Sequence, residues 1–259
     1  MKYLMSDYSD LTKLKIGGVP CYIVTPHKTD GENKTLIFYH GWASNAYNQI
    51  FRANIFASYG YQVVIPQAIY HGDRGRLDYN DDMTVKTYLP RVLMKNIEEF
   101  PRIHRYVVNN LGTKPENIGI AGHSMGAFTA GGIFTFKKDL KVALLYNSVL
   151  NWEWIVQDST KGEEEISYER ERVNEFLLRL NPALHMENLY NRPIVLCNGM
   201  EDQIVDHESM ENFYNDLVDG YDEDKKDLAY FRIYEATGHQ VTTFMINDSL
   251  EFMQEKLDF

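Results

Sequence analysis

Short, continuous apolar runs alternate with longer segments of helical periodicity along most of this chain. The runs cover residues 35–39, 62–66, 118–121, 142–146, 194–197 and 229–234. Runs that are apolar throughout, rather than at every second position, are typical of strands buried on both faces of a parallel sheet. Apolar residues at three- and four-residue spacing predict helices over residues 46–59, 85–111, 125–135, 208–217 and 242–257. The pattern therefore predicts a doubly wound, mostly parallel α/β sheet, whose ligands bind beyond the carboxyl ends of the strands.

The N-terminal region has a different pattern. Two β-prone stretches within residues 11–25 flank Gly17-Gly18, which predicts an antiparallel hairpin. The chain has 259 residues, a length that fits one large α/β domain over residues 1–259.

One internal segment, residues 151–191, interrupts the alternation of strands and helices. It has no strand signal, but it has a helical pattern over residues 168–180 and two tryptophans, Trp152 and Trp154. Loops that leave strand ends in such folds carry substrate contacts, so we expect a small helical cap insertion at about 151–191. In this interpretation Trp152 and Trp154 are candidate substrate-binding residues. The alternative is that the segment is only a long crossover helix.

Composition narrows the possible partners and the compartment. The formal net charge of −11 disfavours nucleic acids and anionic membrane surfaces. The N-terminus has no apolar core of a signal peptide, and no apolar stretch approaches the length of a membrane span. Cys21 and Cys197 have no Cys or His neighbours at metal-binding spacing, so both are expected to be buried thiols. These features predict a cytoplasmic protein without a metal, and they leave its oligomeric state open.

The candidate chemistry centres on Gly122-His123-Ser124-Met125-Gly126. An apolar, β-prone stretch precedes this motif and a small-residue helical segment follows it. Strand, G-x-S-x-G and helix together form the context of a nucleophile elbow, a tight turn that exposes a serine hydroxyl at a strand end. The sequence therefore predicts Ser124 as a catalytic nucleophile.

A serine nucleophile needs a base, and the base needs a carboxylate to orient it. In folds that carry this elbow, the acid and then the base follow the serine in the chain. Asp202 comes after the strand at 194–197 and is the favoured acid, with Glu201 and Asp206 as alternatives; Asp206 is also well placed as a helix cap. His239 follows the last strand and is the favoured base over His207, which lies very close to the acid in sequence.

The predicted oxyanion hole combines two backbone N–H groups, one from Met125 and one from the loop after the strand at 35–39. In that loop Gly41 permits close approach to the substrate, and Trp42 N–H is the natural second donor. The Trp42 side chain is a further candidate for substrate binding. His40, which precedes Ser124, is expected to make structural hydrogen bonds rather than to act as the base.

These motifs resemble the α/β-hydrolase superfamily over essentially the whole chain. They are His40-Gly41-Trp42, the Ser124 elbow, Gly199-x-x-Asp202 and Gly238-His239, in the family's order and at its usual spacing. The segment Tyr70-His71-Gly72-Asp73-Arg74-Gly75 is similar to the branch near dienelactone hydrolases and prolyl-oligopeptidase-type catalytic domains. Within it, an ion pair of Asp73 and Arg74 that braces the loop is favoured over substrate contact.

The resemblance implies a Ser-His-Asp hydrolase that needs no cofactor. Dienelactone hydrolases use a cysteine where this chain has serine, and no segment resembles the propeller of prolyl oligopeptidases. We therefore expect a serine esterase whose partner is a small-molecule ester with a short acyl group. A peptidase or amidase, or an acyltransferase, would use the same residues. A non-catalytic binding protein on the same scaffold is a further alternative, disfavoured because all three triad positions are present.

Overall fold

A computed structural model describes residues 5–29, 31–160, 167–257 and 259, with the backbone alone at residues 154 and 158–160. Eight strands form one sheet. They are β1 (Ser9–Ile16), β2 (Val19–Pro26), β3 (Lys34–Tyr39), β4 (Tyr61–Pro66), β5 (Ile118–His123), β6 (Ala143–Tyr146), β7 (Ile194–Gly199) and β8 (Ala229–Tyr234). The six predicted apolar runs are thus all strands, and the expected hairpin is β1 and β2.

The order of strands in the sheet is β1-β2-β4-β3-β5-β6-β7-β8. The β1–β2 and β2–β4 pairs are antiparallel, and all pairs from β4 through β3 to β8 are parallel. The carboxyl ends of β3, β5, β6, β7 and β8 therefore meet at one edge, and this confirms the predicted doubly wound α/β fold.

In the described part of the chain, seven α-helices surround the sheet. They are α1 (Ile50–Ser58), α2 (Asp82–Leu111), α3 (Met125–Phe136), α4 (Glu153–Thr160), α5 (Tyr168–Arg179), α6 (His207–Asp219) and α7 (Thr243–Leu257). Short 3-10 helices occupy Tyr47–Gln49, Gly72–Arg74, Pro115–Asn117, Pro182–Asn188 and Glu223–Leu228. The five helices predicted between strands are all present, with ends shifted by a few residues.

The core has two apolar layers, one on each face of the sheet. Ile37 and Tyr39 of β3 point into the layer shared with α2, α3 and α6, whereas Leu36 and Phe38 point into the layer shared with α1 and α7. This alternation explains the continuous apolar runs, because both faces of each central strand are covered.

The segment expected to form a cap lies between β6 and β7. It contains α4, α5 and the 3-10 helix Pro182–Asn188, and both α-helices pack on α2. The predicted helix at 168–180 corresponds to α5, which begins after Ser167, whose side chain accepts a hydrogen bond from Arg170 N–H. The helix α4 was not predicted.

Candidate active site

Ser124 occupies a sharp turn between β5 and α3. Its φ of 53° and ψ of −123° lie outside the regions that residues with a side chain normally adopt. The neighbouring glycines are required by space: a Cβ on Gly122 would lie 2.2 Å from Gly126 O, and one on Gly126 would lie 2.1 Å from Tyr39 O. The strained turn predicted from the motif is therefore present, and its close packing leaves room only for glycine two residues before and two residues after the serine.

Asp202 and His239 are brought together by the loops after β7 and β8. Asp202 Oδ2 lies 2.6 Å from His239 Nδ1, and the aspartate side chain is fully buried. Asp202 Oδ1 accepts the backbone N–H groups of Ile204 and Val205 at 2.9 and 3.0 Å. One carboxylate oxygen is thus held by the backbone, so the other is fixed in direction toward the imidazole.

The alternative acid and base positions have other contacts. Asp206 caps α6 by accepting the N–H groups of Glu208 and Ser209, as its position in the sequence indicates. Glu201 is exposed, and its backbone N–H donates to Thr237 O at 2.9 Å. His207 is the first residue of α6.

His239 lies beside the elbow that carries Ser124. Its ring centroid is 4.9 Å from that of His123, the residue before the serine. Burial, with smaller effects of His239 and Arg52, lowers the pKa of His123 to about 3, so His123 is neutral at physiological pH. The described residues include no hydrogen bond between Ser124 and His239, a contact that often tightens only when substrate binds.

The loop after β3 approaches Ser124 directly. A Cβ on Gly41 would lie 3.4 Å from Ser124 Cβ and 3.2 Å from His123 O. Met125 is the first residue of α3, so its N–H has no partner within the helix. Within the described part of the chain, Trp42 N–H has no hydrogen-bond acceptor either. In the described residues, Ser124 is thus followed directly by one free backbone donor, and a second lies in the loop that approaches the serine.

His40 holds this loop in place, in agreement with the structural role expected for it. Its Nδ1 lies 2.9 Å from Gly41 O, and its Nε2 accepts from Ala68 N–H at 3.1 Å and from Gln67 Nε2 at 3.0 Å. Burial lowers the pKa of His40 to about 3. The neutral ring thus joins the loop after β3 to the loop after β4.

The Trp42 side chain belongs to an aromatic group that the sequence did not indicate. Its Nε1–H donates to Tyr79 O at 3.1 Å, and its ring packs edge-on against Tyr79 and His71. The rings of His71 and Tyr79 stack at 4.9 Å. Since these contacts fix the Trp42 side chain, they also restrict the backbone of the loop that approaches Ser124.

Trp152 lies inside the protein. It is fully buried in an apolar cluster that also contains Met125 and Phe128, and a Cβ on Gly132 would lie 2.3 Å from its ring. Trp152 therefore packs the cap segment against α3, and substrate contact by it stays a prediction. The side chain of Trp154 lies outside the described residues.

Asp73 and Arg74 do not pair with each other. Arg74 forms two 2.7 Å contacts with the carboxylate of Glu99 in α2 and donates to Gln67 O, whereas Asp73 pairs with Lys13 at the surface. The expected bracing of the loop is therefore made by Arg74 with Glu99, a pairing that spacing in the sequence could not indicate.

Residues 5–29, 31–160 and 167–257 contain no group of three or more His, Cys, Asp or Glu side chains that could hold a metal ion. In the same part of the chain, none of the helices has the length and apolar character needed to cross a membrane.

Comparison with known proteins gives consistent matches. The prolyl oligopeptidase family matches residues 46–259. The chain is 24% identical to "Putative esterase YitV" of Bacillus subtilis (strain 168), over 93% of this chain and 97% of that protein. It is also 24% identical to "Esterase YjfP" of Escherichia coli (strain K12), over 66% of this chain and 69% of that protein. The solved structure of TT1662 from Thermus thermophilus superposes with a TM-score of 0.75 at 20% identity, covering 95% of this chain and 97% of that one.

Proposed function

Because this chain belongs to the prolyl oligopeptidase family, we propose that it is a serine hydrolase that cleaves carboxylic esters through an acyl-enzyme on Ser124. The observation that carries the proposal is the pairing of Asp202 with His239 at 2.6 Å beside the strained Ser124 turn. The two relatives named as esterases support an ester as the substrate.

The proposed reaction uses the side chains in fixed roles. His239 Nε2 takes the Ser124 proton as Oγ forms a bond to the ester carbonyl carbon, and the carbonyl oxygen becomes an oxyanion. Collapse of this intermediate breaks the bond to the alcohol oxygen, which leaves with the proton from His239. Water then repeats the sequence on the acyl-enzyme, releasing the acid and restoring Ser124. Asp202 keeps the His239 ring oriented and stabilises its charged form.

We propose that the oxyanion is held by the N–H groups of Trp42 and Met125. The free donor at the start of α3 and the approach of Gly41 to Ser124 Cβ support this assignment. Fixed donors of this kind stabilise the developing charge without reorganising during the reaction.

The acyl group is proposed to be short. Ser124 is only 8% exposed, and the apolar cluster next to it is filled by side chains of α2, α3 and the cap segment, among them Leu93, Phe128 and Ile155. A long acyl chain would have to displace this packing. The segment at 151–191 would then act as the cap that limits the pocket.

Two further expectations accompany the proposal. Cys21 and Cys197 are buried and unpaired, which supports a reducing compartment such as the cytoplasm. The family's name favours amide cleavage as a second candidate, since a peptidase would use the same triad.

The test is hydrolysis of p-nitrophenyl acetate, butyrate and octanoate by the wild type and by Ser124→Ala, with a fluorophosphonate label located by mass spectrometry. Ser58→Ala removes a hydroxyl at the exposed end of α1 and serves as the matched control. We expect turnover and labelling in the wild type and the control, neither in Ser124→Ala, and lower rates with octanoate.

Other outcomes separate the alternatives. Faster cleavage of the matching p-nitroanilides would favour the amidase. Transfer of the acyl group to an added alcohol in preference to water would favour an acyltransferase. Folded wild-type protein that neither hydrolyses nor takes the label would contradict the proposal and favour a binding protein.

A further inference from the structure

Asn147, the residue after β6, contacts the end of β7, from which the loop with the proposed acid leaves, and the loop that carries the proposed base. It is fully buried, and its side chain uses both ends of the amide. Oδ1 accepts the backbone N–H of Gly199 at 3.0 Å, and Nδ2 donates to Gln240 O at 2.9 Å. Gly199 lies three residues before Asp202, and Gln240 follows His239 directly.

The position of β6 in the sheet fixes the backbone of Asn147 beside the nucleophile turn and β7. β6 lies between β5 and β7, and its last residue, Tyr146, accepts the Ser124 N–H at 2.9 Å through its carbonyl oxygen. The Asn147 N–H in turn donates to Cys197 O at 2.8 Å. The backbone of Asn147 is thus fixed relative to the nucleophile turn and to β7, and its side chain extends this fixed point to the loop after β8.

The backbone conformation and the hydrogen bonds together select asparagine here. Asn147 has φ of 50°, in the left-handed region where Asn and Gly are favoured. Glycine would adopt this conformation but has no side chain to bond either loop. Aspartate has the same shape, but its carboxylate is an acceptor only and would face Gln240 O without a proton between them.

We propose that Asn147 is a positioning residue, which sets the distance between Asp202 and His239 by binding both of their loops through one amide. The effect on the rate rests on the proposed function. The effect on the hydrogen bond between Asp202 and His239 can be measured whether or not the protein hydrolyses esters. A misplacement of about 1 Å in such a site can lower the rate roughly 100-fold.

The test compares the wild type with Asn147→Gly, Asn147→Asp and a control, Asn96→Ala. Asn147→Gly keeps the backbone conformation and removes both bonds, whereas Asn147→Asp removes only the donor to Gln240. Asn96 is also a buried asparagine, but it bonds Thr129 between α2 and α3 and contacts neither loop. The control therefore reports the effect of losing a buried amide in general.

Two measurements follow for each variant. The first is the resonance of the proton between His239 Nδ1 and Asp202 Oδ2, which we expect a hydrogen bond of 2.6 Å to shift far downfield. The second is kcat and KM on p-nitrophenyl acetate. We expect both Asn147 variants to broaden or shift the resonance and to lower kcat roughly 10- to 100-fold with KM little changed. Asn96→Ala should alter neither.

The outcomes separate this inference from the proposed function. A resonance that is unchanged in both Asn147 variants would overturn the positioning role, because the backbone bonds between the loops, such as Glu201 N–H to Thr237 O, would then suffice. Wild-type protein without ester hydrolysis or labelling would overturn the proposed function. In that case the resonance still decides whether Asn147 controls the contact between Asp202 and His239.

Discussion

Lowering the pH is expected to destabilise this protein through His40. The ring is 1% exposed, and its Nε2 already accepts from Gln67 and from Ala68 N–H, so a proton on that nitrogen would face two donors. Burial accordingly lowers the pKa of His40 from 6.5 to about 3 in the folded protein. In the unfolded chain the same ring titrates near its ordinary pKa of about 6.5.

The size of the destabilisation follows from the difference between the pKa of His40 in the folded and in the unfolded protein. Above about pH 6.5 His40 is neutral in both states and contributes no pH dependence. Between that value and about pH 3 only the unfolded chain binds the proton, so the free energy of unfolding falls by about 1.4 kcal/mol per pH unit. At pH 5, about 1.5 units below the unfolded pKa, His40 should therefore cost about 2 kcal/mol of stability.

The assay is urea denaturation at pH 7 and pH 5, followed by the fluorescence of buried tryptophan, for the wild type and His40→Gln. Glutamine can accept the Ala68 N–H but does not titrate, and all other histidines are common to both proteins. The loss of stability between the two pH values should be larger in the wild type by about 2 kcal/mol. Equal losses in the two proteins would refute the reasoning, since His40 would then titrate alike in both states.

Three further results are expected. Gly126→Ala should be destabilised by about 3 kcal/mol or more, because the new Cβ would lie 2.1 Å from Tyr39 O; a wild-type urea midpoint would contradict this. Cys21 and Cys197 should react with a thiol reagent only after denaturation, since burial raises the pKa of each to about 12; modification of the native protein would show that a thiol is accessible. Asp202→Asn should keep the fold by circular dichroism but lower kcat about 10⁴-fold; a loss below about tenfold would remove this residue from the proposed triad.

Much of the fold and of the candidate site could be predicted because the relevant signals are local. Six of the eight described strands appear as runs of apolar residues, and the turn around Ser124 requires glycines two residues before and after it. Parallel strands gather their carboxyl ends at one edge, so a residue that follows a strand lies near residues that follow its neighbours. For this reason Asp202 and His239 could be selected from their places after β7 and β8 without knowledge of any contact.

The contacts that depend on distant parts of the chain could not be predicted. The sequence predicts that Arg74 pairs with its neighbour Asp73. In the structure it pairs instead with Glu99, whose buried carboxylate projects from the long helix α2. Tyr79 likewise meets Trp42 only because the loop after β4 returns over the loop after β3. Such pairings depend on where a helix begins and how it is rotated against the sheet, and hydrophobic periodicity does not fix either to within one residue.

Part of the role proposed for Asn147 could have been predicted from the sequence around it. It is a polar residue directly after a continuous apolar strand, at the edge where the site was expected, and asparagine is among the few residues that adopt a positive φ readily. What the sequence lacks is the order of strands, which places β6 between the nucleophile strand and the acid strand. A polar residue at the carboxyl end of a strand in that position lies beside the nucleophile turn and the end of β7, and the Asn147 side chain reaches past β7 to Gln240 in the loop after β8. We therefore expect its amide to influence how the acid and base loops meet, although it touches no substrate itself.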